Sequence, residues 1–258
     1  MNLKCLQGRV AVVTGSSSGI GQAIAGRLAE EGANVVINYF GSPQGADATL
    51  KTVEATGAKG IRVKADVRKI EDIENLIEQG WTHFGSVDIL VNNAGMETRA
   101  PFWDVTEDDY DRVLDINLKG PFFLTRTFVR KLLAAKKPGR VINISSVHED
   151  MAFPGFATYC VSKGGLRMLM RNLAVELAPM GITVNNVAPG AIATPINKKL
   201  LEDKPKLDAL LANIPLGRLG QPHDVAGTVA FLASDDAAYI NGATILVDGG
   251  LSRNYHEQ

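Results

Sequence analysis

Tyr159 and Lys163 stand four residues apart in a stretch, Asn143 to Lys163, that reads NISSVHEDMAFPGFATYCVSK. On a helix that spacing puts both side chains on one face. A phenol has a reference pKa of about 10 and exchanges protons poorly at neutral pH unless a nearby cation favours its ionised form. Lys163 is placed to be that cation. Upstream, Ser145 and Ser146 bring hydroxyls to the point where an apolar run, 140–144, gives way to a loop. A hydroxyl, a phenol and an ammonium converging there make a proton-handling site. Tyr-x-x-x-Lys alone recurs by chance, with a surface pair as its bland reading, so the rest of the chain must decide. Cys160, beside the tyrosine, reads as a small helix residue rather than a reactive thiol.

The elements that would position these groups alternate along the chain. Apolar runs at 9–13, 34–38, 60–65, 87–92, 140–144, 182–187 and 243–247 read as strands. Helical patterns occupy 19–31, 44–56, 69–83, 157–178 and 222–233, and a loop-helix insertion covers 190–213. The capping-like Thr106-Glu107-Asp108-Asp109 predicts one long helix from Thr106 to Lys136. Strands alternating with helices at this spacing predict an α/β fold: a single domain over 1–258, a Rossmann-type doubly wound parallel sheet of about seven strands with helices on both faces. Strand runs that are nearly all apolar fit burial on both sides. No internal repeat, low-complexity tract or linker divides the chain.

Five strand ends carry further chemistry. Thr14-Gly15-Ser16-Ser17-Ser18-Gly19-Ile20-Gly21 follows the first strand and opens the first helix. Glycines there let the backbone approach a pyrophosphate, and the helix N-terminus offers free N–H groups and a favourable dipole. After the second strand, a dinucleotide binder carries an acid for the ribose hydroxyls or a base for a 2′-phosphate. Here the chain reads Asn38-Tyr39-Phe40-Gly41-Ser42, with neither, and Ser16–Ser18 hold no Arg. That predicts use of both NAD and NADP. Asp66, ending the third strand, is the natural partner of an adenine ring, against a bland reading as a solvated turn residue. Asn92-Asn93-Ala94-Gly95 places small residues at a strand's carboxyl end, where open α/β sheets bind ligands. Pro189-Gly190 follows the sixth strand and fits a turn beside a nicotinamide, with Thr194 able to hold a carboxamide or phosphate.

Composition narrows the partners. The chain has 258 residues, 45% hydrophobic and 21% charged, with a net charge of -1 and no long Lys/Arg run. That balance leaves no electrostatic footprint for nucleic acid or a membrane surface. No apolar stretch reaches the roughly 18 residues of a membrane span, and the opening MNLKCLQGRVAVVTG has too short an apolar run for a signal peptide. Two cysteines, Cys5 and Cys160, imply neither a disulfide framework nor a metal cluster. A cytoplasmic protein acting on a small molecule is the expectation.

Taken together, Thr14–Gly21, Asn92–Gly95, Asn117, Ser146, Tyr159 with Lys163, and Pro189-Gly190 resemble the short-chain dehydrogenase/reductase family over essentially the whole chain. The resemblance implies a catalytic set of Asn117, Ser146, Tyr159 and Lys163, the second serine rather than Ser145 taking the role. It implies cofactor contacts from Gly15, Ser17, Ser18, Gly19, Ile20 and Gly21, from Asn38 and Tyr39, and from Asp66 and Val67. Asn93, Ala94, Gly95, Tyr159, Lys163, Pro189, Gly190, Ile192 and Thr194 complete the cofactor set. Tyr159 is expected to exchange the substrate proton with its pKa lowered by Lys163, Ser146 to hold the reacting oxygen, and Asn117 to anchor a water. A homotetramer built through helices 106–136 and 157–178 and the last strand is also implied.

Ile37-Asn38-Tyr39, Asn93-Ala94-Gly95-Met96-Glu97, Asn143-Ile-Ser-Ser-Val-His-Glu149, Ser162-Lys163-Gly164-Gly165 and Thr194-Pro195-Ile196-Asn197 look like the bacterial glucose 1-dehydrogenases. That would make Glu97, His148 and Asn197 contacts to sugar hydroxyls and glucose oxidation to gluconolactone the reaction. The segment Asp150-Met-Ala-Phe-Pro-Gly-Phe156 and the tail from Gly249 depart from the likeness. A general ketoreductase of acyl-thioester, steroid or xenobiotic ketones is the alternative. A catalytically silent dinucleotide sensor is a third reading, against which the intact Asn117, Ser146, Tyr159 and Lys163 argue.

Overall fold

Successive residues of each short apolar strand feed opposite faces of one sheet, as a period of two requires. In β1 (Val10–Val13), Ala11 and Val13 join one buried cluster while Val10 and Val12 join another. The computed structural model describes residues 4–194 and 202–254. After β1 come α1 (Gly19–Glu30), β2 (Asn34–Tyr39), α2 (Pro43–Ala55), β3 (Gly60–Lys64), α3 (Ile70–Phe84) and β4 (Ile89–Asn92). Then follow α4 (Glu107–Leu114), α5 (Gly120–Ala135), β5 (Gly139–Ile144), α6 (Ala157–Leu177), β6 (Ile182–Pro189), α7 (Lys204–Ala212), α8 (Pro222–Ala233) and β7 (Thr244–Val247).

The seven strands pair in parallel in the order β3-β2-β1-β4-β5-β6-β7. Ile24 and Leu28 of α1, Val53 of α2 and Val229 of α8 cover one face. Leu76 of α3, Phe128 of α5 and Met170 of α6 cover the other. This is the doubly wound parallel sheet expected from the sequence. The chain leaves β3 at one edge and re-enters beside β1, so β1 and β4 diverge into helices on opposite faces. That switch point opens a crevice at the strands' carboxyl ends.

One expectation fails. The predicted helix from Thr106 to Lys136 is two helices joined by a π-helical turn, Asp115–Lys119. Gly120 N–H bonds the carbonyl of Asp115, five residues back. Pro121, at the start of α5, has no N–H to close the ordinary bond to residue 117. The wider turn carries Asn117 inward, where it is 1% exposed. At the front of α4 the expected cap holds: Thr106 Oγ1 accepts from Asp109 N–H at 3.1 Å.

Candidate active site

A cavity of about 930 Å³ runs along the carboxyl ends of β1, β2, β4, β5 and β6. At one end lies the glycine turn after β1. Gly15 has φ +61, and a Cβ there would sit 2.9 Å from Ala94 Cα. The close approach is stitched by side chains: Thr14 Oγ1 accepts from the N–H groups of Asn93 and Ala94 at 2.9 and 3.0 Å, and Asn93 Nδ2 donates to Thr14 O at 2.8 Å. Ser18, at the N-cap of α1, makes no side-chain cap bond. The first-turn N–H groups of α1 therefore meet the cleft without a side-chain cap, a ready anion site. A pyrophosphate fits this cradle, and larger residues at Gly15 would close it.

The adenosine-side expectations are partly corrected. Asn38 lines the cleft, but its buried amide is committed to the scaffold: Oδ1 accepts from Gly15 N–H at 3.0 Å and Nδ2 donates to Ala65 O at 3.1 Å. Tyr39 lies off the cleft and packs against the α1-side core, because alternation along β2 turns it to the other face. Phe40 and Gly41 line the cleft instead. Asp66 and Val67 line it as expected. The Asp66 carboxylate, however, is already engaged by Arg68, whose Nε and Nη2 donate at 2.9 and 2.6 Å and hold its pKa below the usual carboxylate range. The Arg68 guanidinium also lies 5.6 Å from the centre of the Phe40 ring. Sequence reasoning missed this cation because it looked for a base after β2, while the fold delivers one from the turn after β3.

At the other end, Ser146, Tyr159 and Lys163 converge on the cleft. Tyr159 sits at the third position of α6, and Ser146 follows β5. The Ser146 hydroxyl lies on the phenol's side of the cleft and favours its ionisation. Burial outweighs it and pushes Tyr159 up to about 12. Lys163 is 4% exposed, donates to Ile144 O at 2.9 Å, and is pushed down to about 8 by burial. Its Nζ stands 5.5 Å from the Tyr159 ring centre, over the ring. In the protein alone, therefore, the lysine does not bring the phenol toward neutrality; desolvation governs both groups. Ser145, the competing serine, is buried on the cleft with an unpartnered hydroxyl.

Asn117 does not line the cleft. Its Oδ1 accepts from Met96 N–H at 2.9 Å, and its Nδ2 donates to Met96 O at 2.8 Å and to Ser162 Oγ at 3.1 Å. The side chain expected to anchor a water is spent tying the β4 loop to α6. Gly95, Pro189, Gly190, Ile192 and Thr194 line the cleft beside Lys163 and Ser146.

Of the substrate-side candidates, Glu97 and His148 line the cavity and Asn197 lies outside the described residues. Glu97 remains reachable through the open mouth, yet the surrounding atoms raise its pKa by desolvation. His148 Nδ1 stands 3.0 Å from Met151 O, an acceptor, which makes Nδ1 the protonated nitrogen of the neutral ring. His148 stacks on Phe156 with centroids 5.9 Å apart and meets Tyr159 edge-on at 5.8 Å. Phe153, Met151, Leu210 and Leu251 extend that apolar wall. Among the described residues no His, Cys, Asp and Glu cluster could hold a metal ion.

The family model described as enoyl-(acyl carrier protein) reductase matches residues 15–252. A 3beta-hydroxysteroid dehydrogenase 1 from Eggerthella lenta is 45% identical over 247 residues, 96% of this chain and 95% of that protein. The chain belongs to the short-chain dehydrogenase/reductase family. This short-chain dehydrogenase/reductase is also 41% identical over 250 residues to glucose 1-dehydrogenase 2 of Bacillus subtilis, covering 96% of each. It is similar to the crystal structure of a gluconate 5-dehydrogenase from Burkholderia cenocepacia in complex with NADP and tartrate. There the TM-score is 0.92 at 35% identity, over 98% of this chain and 99% of the other. Short-chain dehydrogenase/reductases use NAD(P) and act on CH–OH groups, and this one is an oxidoreductase of that kind. Among the described residues no helix is long and apolar enough to cross a membrane.

Proposed function

We propose that this enzyme interconverts a secondary alcohol and its ketone on a mainly apolar ring substrate, as a hydroxysteroid would present. The carrying observation is the apolar lining that Met151, Phe153, Phe156, Leu210 and Leu251 give to the cavity that Tyr159 shares, with the Phe156 and Tyr159 ring centroids 6.5 Å apart. Such a surface stabilises hydrocarbon by burial but leaves the hydroxyls of a polyol unpartnered. The similarity to the hydroxysteroid dehydrogenase points the same way.

Glu97 and His148 support a second reading, oxidation of glucose to gluconolactone, as does the similarity to a glucose 1-dehydrogenase. D-glucose and a 3β-hydroxysteroid, each supplied with NAD and with NADP, are the deciding substrates, read by reduced-nicotinamide absorbance. Turnover of the steroid alone supports the first reading, and turnover of glucose alone replaces it. Activity on neither, with activity on a simple activated ketone, makes the enzyme a general ketoreductase.

A bound nicotinamide supplies or accepts the hydride. The Gly15–Gly21 turn would hold its pyrophosphate, Phe40 and the Asp66–Arg68 pair would border its adenosine, and Lys163 would bind its nicotinamide ribose. Either NAD or NADP serves. Ser146 donates to the reacting oxygen and holds it beside the phenol. Tyr159, protonated in the protein alone, gives its proton to that oxygen in reduction. In oxidation its phenolate form would take the alcohol proton, and that form would need added positive charge in the cleft to offset the burial. Asn117 positions the β4 loop. Leu210 and Asn213 of the insertion border the substrate, residues 195–201 lying outside the described residues, and the enzyme works in the cytoplasm as a homotetramer.

A further inference from the structure

Beneath the catalytic loops a row of amides crosses the sheet. Asn92, Asn143 and Asn186 occupy paired positions on β4, β5 and β6. Asn92 Nδ2 donates to Asn143 Oδ1 at 2.9 Å, and Asn143 Nδ2 donates to Asn186 Oδ1 at 2.9 Å. Asn186 Nδ2 then donates to Glu149 Oε2 at 2.9 Å. Thr244, paired with Asn186 from the edge strand β7, donates its hydroxyl to Glu149 Oε1 at 2.6 Å.

Both carboxylate oxygens are thus held, and the Glu149 side chain is 3% exposed. Arg167 Nε stands 3.6 Å from Oε1, beyond an ordinary N–H···O bond, and its Nη1 serves Asp150 at 2.7 Å. Burying a carboxylate costs several kcal/mol unless it is paired and hydrogen-bonded, so a carboxylate kept here asks for a reason. One turn before Arg167, on the same face of α6, lies Lys163, buried and donating to the neutral Ile144 carbonyl.

We propose that Glu149 is a positioning residue: the buried counter-charge that keeps Lys163 protonated, set in place by the amide ladder and by Thr244. Its field raises the lysine's proton affinity against the burial that lowers it. The other charged or titratable groups near the pair come from several elements, and the segment after β7 brings Arg253, which lines a small cavity with Glu149, Asp150 and Arg167. On α6 they are Tyr159, which stays neutral, and Arg167. From the loop after β5 come Asp150, paired with Arg167, and His148, edge-on to Tyr159. From the loop after β4 comes Glu97, which acts on Tyr159 and His148.

The idea rests on the place of Lys163 in the active site, but its test reads the lysine itself and is independent of any substrate. In cofactor-free protein carrying 13C at lysine Cε, the signal lost in Lys163→Arg reports the Lys163 titration. The midpoint should fall by about half a unit or more in Glu149→Gln. It should rise in Arg167→Met, which removes the opposing cation. A merely loosened site would move both variants the same way, so opposite signs identify electrostatics. The pH profile of kcat should shift with the midpoint. An unchanged midpoint in folded Glu149→Gln overturns the proposal. If thermal melting shows that Glu149→Gln does not fold, Arg167→Met decides: a rise supports the counter-charge, and no change or a fall overturns it.

Discussion

Desolvation dominates the chemistry at the level of single residues. Lys163 has a folded-state pKa of about 8 against an ordinary 10.5. Between those values the unfolded chain binds more protons than the native one, so native stability rises with pH across that window. The burial penalty is present in full below about pH 8 and amounts to roughly 3 kcal/mol at ~1.4 kcal/mol per unit. Lys163→Met should lack the rise, and urea titrations of both proteins at pH 7.5 and 10 should show the parent gaining on the variant. Tyr159 works the other way, retaining its proton up to about 12, so stability should fall again above pH 10. Tyr159→Phe should cut kcat by about 100-fold or more, the scale of general acid–base catalysis, while cofactor affinity by fluorescence titration stays near the parent value. Retained turnover would sink the proton-transfer role. Arg68 is the free-edged cation of the adenosine end, and a charged hydrogen bond to a 2′-phosphate is worth about 1.5–3 kcal/mol. Arg68→Ala should therefore weaken NADP binding by about tenfold relative to NAD. Equal losses for both cofactors would mean that Arg68 acts only through Asp66 and Phe40.

Among the elements, the π-turn at Asp115–Lys119 is where the local signal and the fold part company. Asn117→Ala should leave the Met96 N–H and carbonyl unpartnered and cost about 1–3 kcal/mol in chemical denaturation. A loss near zero would mean that solvent takes up both groups without strain. Hydrophobic periodicity could not reveal this turn, since the residues on either side keep a helical pattern, but Gly120-Pro121 was a readable warning. The strands and the other helices were legible because two-sided burial demands apolar runs and each helix needs one apolar stripe. The glycine turn, the Asn93–Gly95 turn and the Ser146–Tyr159–Lys163 group were legible for a similar reason: each depends on spacing within one strand-turn-helix unit. What escaped were contacts across units. Arg68 meets Phe40 from another strand, Asn117 spends its amide on the β4 loop, and Tyr39 faces away from the cleft. Each depends on register and side-chain direction, which no local pattern encodes.

For the whole molecule, α6 keeps an outward apolar row that the chain itself does not cover. Val161, Met168 and Val175, spaced seven apart, are 55%, 61% and 78% exposed, with Phe122 of α5 at 47%. A contiguous row of this kind suits the assembly proposed above. Met168→Glu with Val175→Glu should shift the mass by light scattering to a smaller species, with far-ultraviolet circular dichroism unchanged. An unaltered mass would place the contact elsewhere. The parallel sheet has another consequence, one of timing. β1 is central, yet its partner across Ala11↔Ile89 lies 78 residues downstream. At about 5–20 residues/s of synthesis, the β3-β2-β1 portion waits several seconds with one apolar strand edge open. Slower translation lengthens that wait. The strand whose position creates the ligand crevice in the finished enzyme is the one that makes the newborn chain adhesive.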